Sequence, residues 1–174
     1  MPRAIQIETA RLRLRQWRES DRAPFAAMNA DAEVMEFFAS LQSREASDAS
    51  IDAWRSQFAE RGWSNWAVEV LSSSVFIGFV GLSIPKQVLP FSPCVEVARA
   101  ALRVGFERLE LAEIISFTSV LNSRSRAVME RIGMRNAHED FEYRSFPENH
   151  PLRPHCLYRT TRAQWSENAA HVER

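Results

Sequence analysis

The sequence contains very little lysine and very little cysteine. Lys86 is the only lysine, so the 22 basic residues are almost all arginine, and 22 acidic residues balance them to a formal net charge of 0. This balance excludes a strong overall attraction to nucleic acid or to an anionic membrane surface. Two cysteines, Cys94 and Cys156, are too few for a disulfide framework, and we expect free buried thiols in a reducing cytoplasm.

Long apolar segments are also missing. The longest apolar run, residues 75–84, is too short to cross a bilayer. Residues 1–16 have no apolar stretch of the kind found in a secretory signal. We therefore expect a cytoplasmic protein with no membrane or nucleic-acid partner. The length of 174 residues favours a single domain over 1–174.

Several catalytic motifs are absent as well. There is no G-x-S-x-G elbow, no Walker loop and no strand-linked G-x-G-x-x-G, so a serine hydrolase and these routes to nucleotide binding have no support. His150 and His155 lie in a proline-rich segment without a matching group of cysteines or carboxylates, which zinc sites require. We expect no metal site and a loop role for both histidines.

Apolar periodicity predicts a mixed α/β domain with a largely antiparallel sheet and one parallel βαβ unit. The predicted strands are 10–17, 65–71, 75–84, 113–121, 141–144 and 155–161. The predicted helices are 21–29, 31–38, 51–61, 98–109 and 123–132. Strand 113–121 is continuously apolar and is expected to be central and covered on both faces. The arginines that alternate along 10–17 form either a solvated face or a phosphate-binding stripe.

One strand end has the composition of a ligand site. Asn122 follows the predicted strand 113–121 and directly precedes a predicted helix that contains Ser125. Backbone N–H groups at a helix start, together with a strand's carboxyl end, are favoured places for ligands in α/β sheets. The alternative is that Asn122 and Ser123 only cap the helix, and the pattern alone leaves both interpretations open.

The segment 90-PFSPCVEVARAALRVGFERLEL-111 poses a separate problem. Residues 91–97 are predicted to be extended because Pro90 and Pro93 disfavour helix there, whereas the residues from Ala98 onward have helical periodicity. No turn-forming residue separates the two patterns between Val95 and Leu102.

Five segments in order resemble the GNAT superfamily of N-acetyltransferases, in the branch of the ribosomal-protein N-terminal acetyltransferases. They are 8-ETARLRLRQWRESD-21, 29-NADAEVMEFF-38, 75-VFIGFVGLSIP-85, 102-LRVGFERLELAEIISFTSVLNSRSRAVMERIGM-134 and 150-HPLRPHCLYR-159. The resemblance covers residues 9–165 and leaves 166–174 as a C-terminal tail. It implies a bent, mostly antiparallel sheet of about six to seven strands flanked by helices. It also implies acetyl transfer from acetyl-CoA to an amine, without a metal.

The resemblance also assigns roles to individual residues. It places Asn122 at the cofactor's pantetheine arm and Ser125 beside the departing sulfur. Glu96 matches a strand carboxylate that is a candidate base acting through water, or it is only a charge at a strand edge. Many relatives have a tyrosine acid where this chain has Met129, so Ser125 or solvent would have to protonate the thiolate. The resemblance adds further cofactor-binding residues, which are Ala98, Arg99 and Arg124.

Aromatic residues are candidates for the acceptor pocket. The candidates for substrate binding are Phe37, Trp66 and Tyr143. The alternative is a place in the core, which is more common for such residues.

The segment 90–111, which we call the turnless segment, differs from the family. Relatives have roughly 15–20 further residues here, including a loop whose backbone N–H groups hold the cofactor pyrophosphate. Either the sequence omits a loop, or the deletion is genuine. A genuine deletion predicts a shortened or displaced fourth strand and following helix, a homodimer with a swapped element, and weak acetyl-CoA binding. The alternative function is then a non-catalytic GNAT-fold protein that binds a partner or itself.

Overall fold

The computed structural model describes residues 4–83 and 95–172, with side chains up to residue 168. The chain divides into two compact units, Met1–Ser92 and Pro93–Arg174. Each unit contains an antiparallel sheet and helices, so the predicted mixed α/β class is confirmed. The helices of the described residues include none that is both long enough and apolar enough to cross a membrane.

The first unit is a four-stranded antiparallel sheet with two helices, and its strands pair in the order β1–β2–β3–β4. The elements are β1 (Ile7–Glu8), β2 (Leu12–Arg15), α1 (Arg22–Ala30), α2 (Arg44–Arg61), β3 (Asn65–Val70) and β4 (Phe76–Gly81). The predicted hairpin is confirmed as β3–β4. Gly62 ends α2 in the left-handed conformation, as predicted, with φ of 81°.

The core of the first unit is aromatic. Trp17, Phe25, Trp54 and Phe79 are buried against one another, and the Trp54 and Phe79 rings stack with centroids 5.0 Å apart. The helix predicted after Asp31 was wrong, because residues 32–37 form turns instead. The Asp31 carboxylate accepts a hydrogen bond from the Glu33 backbone N–H at 2.8 Å, which favours a local turn over a new helix.

The arginines of β2 are paired with carboxylates of the first unit, and Arg15 is not solvated. Arg15 is buried, with its guanidinium bonded to Glu69 at 2.6 Å and to both oxygens of Asp21 at 2.7 and 2.9 Å. Glu69 also accepts from Arg13 at 2.9 Å and from Arg18 at 2.7 Å. The positive charge of these arginines, which the sequence pattern assigned to solvent or to a bound phosphate, is therefore paired with carboxylates of the protein.

The second unit is built on the long strand β8. The elements are α3 (Val95–Arg103), a π-helical turn (Val104–Arg108), β5 (Glu113–Ser119), α4 (Ser123–Arg131), β6 (Arg135–Asn136), β7 (Phe141–Glu142), β8 (Pro154–Thr161) and α5 (Arg162–Val172). Strands β5, β6 and β7 each pair antiparallel with β8. Residues 166–172, which were predicted to belong to a C-terminal tail, are therefore part of the last helix.

Two predictions for the second unit were wrong. Residues Val95–Val97, expected to be extended, begin the helix α3, so the predicted parallel βαβ unit lacks its first strand there. Residues 91–94, including Cys94, lie outside the described residues. Strand β5 is not covered on both faces, since Ile115 is 42% exposed. Cys156 is a buried free thiol, as predicted.

The two faces of β8 have different surroundings. Cys156 and Tyr158 point into a core formed with Leu102 and Phe106 before β5 and with Met129 on α4. His155 lies on the opposite face, because side chains alternate along a strand. The face of His155 carries the aromatic residues considered below.

Candidate functional site

The carboxyl end of β5 turns directly into α4. Ser119, the last residue of β5, is buried, and its carbonyl accepts a hydrogen bond from the Asn122 backbone N–H at 2.9 Å. The Val120 N–H donates to the Pro154 carbonyl at 3.0 Å. The turn is therefore held to both β5 and β8, and it fixes where α4 begins.

Asn122 caps α4. Its side-chain oxygen accepts from the Ser125 backbone N–H at 3.0 Å, which satisfies one of the unpaired donors of the first turn. Arg124 is exposed and Ser125 is half-buried in that turn. The cap predicted from sequence is confirmed, and it brings Asn122, Arg124 and Ser125 together at one helix start.

Arg126 connects the start of α4 to the sheet through hydrogen bonds. Its guanidinium donates to the Val120 carbonyl at 3.1 Å and lies 3.5 Å from the Tyr158 hydroxyl. The Tyr158 hydroxyl in turn donates to Glu130 at 2.8 Å. Burial raises the pKa of Tyr158, so this hydroxyl stays protonated at neutral pH.

On the other face of β8 lies what we call the hairpin aromatic cluster, formed by Phe117, Phe141, Tyr143, Phe146 and His155. The ring of His155 is the hub, with its centroid 4.8 Å from Tyr143 and about 6 Å from each of the other three. His155 is buried, and burial lowers the pKa of its imidazole.

An open cavity of about 540 Å³ adjoins this cluster. It is lined by residues of β7, of the β7–β8 connection and of the first position of β8, which are Glu142, Glu148, Asn149, His150, Pro151, Arg153 and Pro154. The His150 ring stacks on Phe146 at 4.9 Å, so the cavity wall is continuous with the cluster. The Pro154 carbonyl also accepts the Val120 hydrogen bond, so one lining residue of the cavity contacts the turn that precedes α4.

A model of the acetyltransferase (GNAT) domain family matches residues 11–90 and 94–135, most of the chain and parts of both units. The chain belongs to the GNAT acetyltransferase family. The match is interrupted at 91–93, which lies within the turnless segment.

Solved structures share the fold at low sequence identity. A GNAT acetyltransferase from Bacillus anthracis has 20% identity and a TM-score of 0.74, over 91% of this chain and 99% of the other. A Vibrio cholerae protein provisionally assigned as a ribosomal-protein-serine acetyltransferase has 17% identity and a TM-score of 0.72, over 92% and 99%. Spermidine N-acetyltransferase from Vibrio cholerae, solved with CoA and spermine, has 15% identity and a TM-score of 0.67, over 91% and 99%.

Within this GNAT domain, Glu96 does not lie on a strand. It occupies the first turn of α3, is half-buried and has an interaction partner. The assignment of Glu96 to a fourth-strand carboxylate was therefore wrong in its location, because α3 starts at Val95, three residues before Ala98 begins the periodic pattern. Val97 and Ala98 are successive residues of one uninterrupted helix.

The other predicted cofactor residues of α3 lie near the far end of α4. Arg99 is exposed, and its guanidinium donates to the Arg131 carbonyl at 2.7 Å, a favourable place for a cation because this is the negative end of α4. Ala98 is partly buried against the core of the second unit. Met129, which replaces the tyrosine acid of relatives, is buried in that same core.

The aromatic substrate candidates have different surroundings. Trp66 is 0% exposed, with its indole N–H bonded to the Ile5 carbonyl at 2.7 Å, so it is a core residue. Phe37 is half-buried in the turns after α1. Tyr143 is half-buried in the hairpin aromatic cluster, beside the cavity. The described residues contain no group of three or more histidine, cysteine or carboxylate side chains suited to a metal.

The sequence interpretation missed His155 and Arg126 as parts of this site. The predicted strand 155–161 included His155, but a loop role was also expected for this residue, and the structure shows it to be a buried residue of β8. The signal available in the sequence was the position of 155-HCLYR-159 within the predicted strand 155–161. Arg126 was hidden within a helix rich in arginine, and only the return of β8 beside α4 gives it Tyr158 as a partner.

Proposed function

We propose that this protein transfers an acetyl group from acetyl-CoA to a primary amine. Family membership over most of the chain carries the proposal. The α4 start supports it, because the half-buried Ser125 and the capping Asn122 lie together at a strand's carboxyl end. In this account the side-chain amide of Asn122 keeps its cap and offers its N–H₂ group to the pantetheine arm.

The chemistry follows from the reacting groups. The neutral amine attacks the thioester carbonyl, the carbonyl electron pair moves to oxygen, and the tetrahedral intermediate collapses with cleavage of the C–S bond. A positioned donor must stabilise the oxyanion, and an acid must protonate the thiolate. Ser125 is the proposed acid, since Met129 has no proton to give. Arg124, which is exposed at the same helix start, is proposed to attract the cofactor's phosphates.

The proposed acceptor is a protein N-terminus or a small-molecule amine. The names of two structural neighbours, a spermidine acetyltransferase and a protein assigned as a ribosomal-protein-serine acetyltransferase, support this class. Tyr143 lies beside a cavity of suitable size formed by described residues, and we propose that it helps to form the acceptor site.

Loss of the pyrophosphate loop belongs to the same proposal. The interruption of the family match at 91–93 supports it. Each lost charge-assisted hydrogen bond would cost about 1.5–3 kcal/mol, so acetyl-CoA binds more weakly than in relatives that keep the loop. A homodimer with an exchanged element is the proposed consequence for assembly. Sedimentation velocity should detect the dimer. If only monomer is found at two protein concentrations that differ 100-fold, the exchange is contradicted, because dimer dissociation depends on protein concentration.

Two measurements test the activity. Isothermal calorimetry reports acetyl-CoA binding, and a thiol-release assay reports transfer to a hexapeptide with an N-terminal serine or to spermine. Saturable binding together with amine-dependent CoA release supports the enzyme. Saturable self-association without cofactor binding or CoA release supports the non-catalytic alternative.

A further inference from the structure

The buried imidazole of His155 is held in one tautomer. Its Nδ1 lies 3.0 Å from the Arg153 carbonyl oxygen. A carbonyl oxygen only accepts hydrogen bonds, so Nδ1 must carry the proton and Nε2 must carry the lone pair. Nε2 is then the nitrogen that can take up a proton, and a neutral imidazole in a defined tautomer is the form of histidine that acts as a base.

The position of His155 relates it to the α4 start. In the β5–β8 ladder His155 pairs with Ser119, and paired residues of an antiparallel ladder lie side by side on one face. The Ser119 carbonyl accepts the Asn122 N–H at 2.9 Å. His155 therefore lies at the same end of the sheet as the proposed cofactor residues, and on the face opposite Cys156 and Tyr158.

We propose that His155 is the base that removes the proton from the acceptor's ammonium group. This inference rests on the acetyl transfer proposed above, and it fills the role that Glu96 was expected to play. The acceptor amine enters through the cavity lined by His150 and Pro154, and the hairpin aromatic cluster excludes water around the imidazole.

The proton and electron pairs balance without any further reactant. The Nε2 lone pair takes one proton from R–NH₃⁺, which leaves R–NH₂ and an imidazolium. The amine lone pair then forms the C–N bond and the C–S bond breaks. Ser125 gives its hydroxyl proton to the thiolate and takes the second nitrogen proton, which leaves CoA–SH, the amide and an unchanged serine. His155 returns its proton to solvent before the next cycle.

The charges that face His155 are compatible with this role. Glu142 on β7 is the acidic neighbour, Arg153 and His150 belong to the β7–β8 connection, and Tyr143 contacts the ring. From β5 the neighbours Phe117 and Ser119 carry no charge. Burial lowers the pKa of His155, so the imidazole is neutral at pH 7.

This basicity favours one class of acceptor. An α-amino group has a pKa of about 7.7–8, whereas a lysine-type amine has a pKa of about 10.4. Proton transfer to a weakly basic imidazole is therefore less unfavourable from an α-amino group. We expect the serine-starting hexapeptide to be acetylated faster than spermine.

The test compares His155→Gln with the wild type and with the control His138→Asn. His138 is an exposed histidine of the same unit with a left-handed backbone, φ 56°, which asparagine tolerates. Steady-state CoA release from the serine-starting hexapeptide is measured from pH 6 to 10, with the acetyl-CoA dissociation constant measured in parallel. We expect kcat of His155→Gln to fall about 10²–10⁴-fold at pH 7 with an unchanged dissociation constant. The loss should shrink as the pH rises, because solvent then deprotonates the amine.

A structural role would give a different pattern. A loss in His155→Gln that is equal at every pH, or one that is matched by weaker acetyl-CoA binding, would overturn the inference while leaving the proposed function in place. Absence of CoA release from the wild type with both amines counts against the proposed function and against the inference that rests on it. Histidine ¹⁵N spectra give a readout independent of activity, since an Nε2–H tautomer of His155 at pH 7 would also contradict the assignment.

Discussion

The buried charges of the first unit show how far a single residue's environment departs from its local pattern. Arg15 alternates with leucines as an exposed residue would, yet it is 3% exposed and bonded to Glu69, a residue 54 positions away. Alternation predicted the strand correctly, because that signal is local. It gave no information about Glu69, because β3 reaches β2 only through the folded sheet.

Glu69 is expected to stabilise the first unit strongly. It is 0% exposed and forms ion pairs with three arginines, so Glu69→Gln leaves Arg15 buried with one carboxylate partner fewer. Removing one member of a buried ion pair costs about 3–5 kcal/mol. Denaturant unfolding of Glu69→Gln should show that loss, and the exposed Glu60→Gln should stay within about 0.5 kcal/mol of the wild type.

The same carboxylate predicts a pH dependence. Burial by itself would raise the pKa of Glu69, but its arginine partners lower it below the ordinary value of a glutamate. A group with a depressed folded pKa stabilises fully above its unfolded pKa of about 4.3, and this stability is lost as the pH falls through the folded value. The unfolding free energy of the wild type should therefore fall below pH 4 more steeply than that of Glu69→Gln. Parallel curves would contradict the ion-pair account.

Asn122 is expected to have two separable roles. Serine is an equally good N-cap, so Asn122→Ser should keep the unfolding free energy within about 0.5 kcal/mol, whereas Asn122→Ala should lose about 1 kcal/mol. Serine lacks the amide N–H₂ group proposed to contact the pantetheine arm, which should weaken acetyl-CoA binding about 2–10-fold in both variants. Equal acetyl-CoA affinity in Asn122→Ser and the wild type would leave only the capping role.

At the scale of elements, β5 shows where an apolar run misleads. Its continuous apolar sequence predicted coverage on both faces, but Ile114 packs on the core of the second unit while Ile115 is 42% exposed. The run predicted a strand because β-branched and aromatic residues favour that conformation. Which face of β5 is buried depends on where α3 and α4 pack. The sequence of β5 has no period-2 alternation that would have identified the buried face.

The two neighbouring isoleucines provide a matched pair for this point. Ile114→Ala removes a side chain from packed surroundings and should cost about 2–3 kcal/mol, whereas Ile115→Ala should cost less than about 1 kcal/mol. Denaturant midpoints at equal m-values measure both. Equal costs would mean that another part of the protein covers the Ile115 face in solution.

The helix α3 shows a second limit of local patterns. Pro90 and Pro93 were read as keeping residues up to Val97 extended, but a proline restricts mainly itself and the residue before it. Val95 and Val97 are compatible with helix once their side chains pack on an apolar core, and Val97 is buried in the structure. Tertiary packing therefore decided the start of the helix and moved Glu96 off a strand.

For the whole molecule, the fold was predictable and the site only partly so. The fold was predicted from five segments that resemble the family and occur in the right order. The family match across residues 11–135, interrupted at 91–93, agrees with that prediction. The Asn122 cap was predictable because it needs only three neighbouring residues. The cluster around His155 was not, because it joins β5, β7 and β8, which are brought together only by the ladder.

The central claim is that this GNAT-family protein uses acetyl-CoA, and calorimetric titration of the intact protein with acetyl-CoA tests it most directly. The account predicts saturable binding with one site per chain, weakened in Asn122→Ser and unchanged in His155→Gln. No heat up to millimolar acetyl-CoA, which corresponds to less than about 4 kcal/mol of binding free energy, would contradict it.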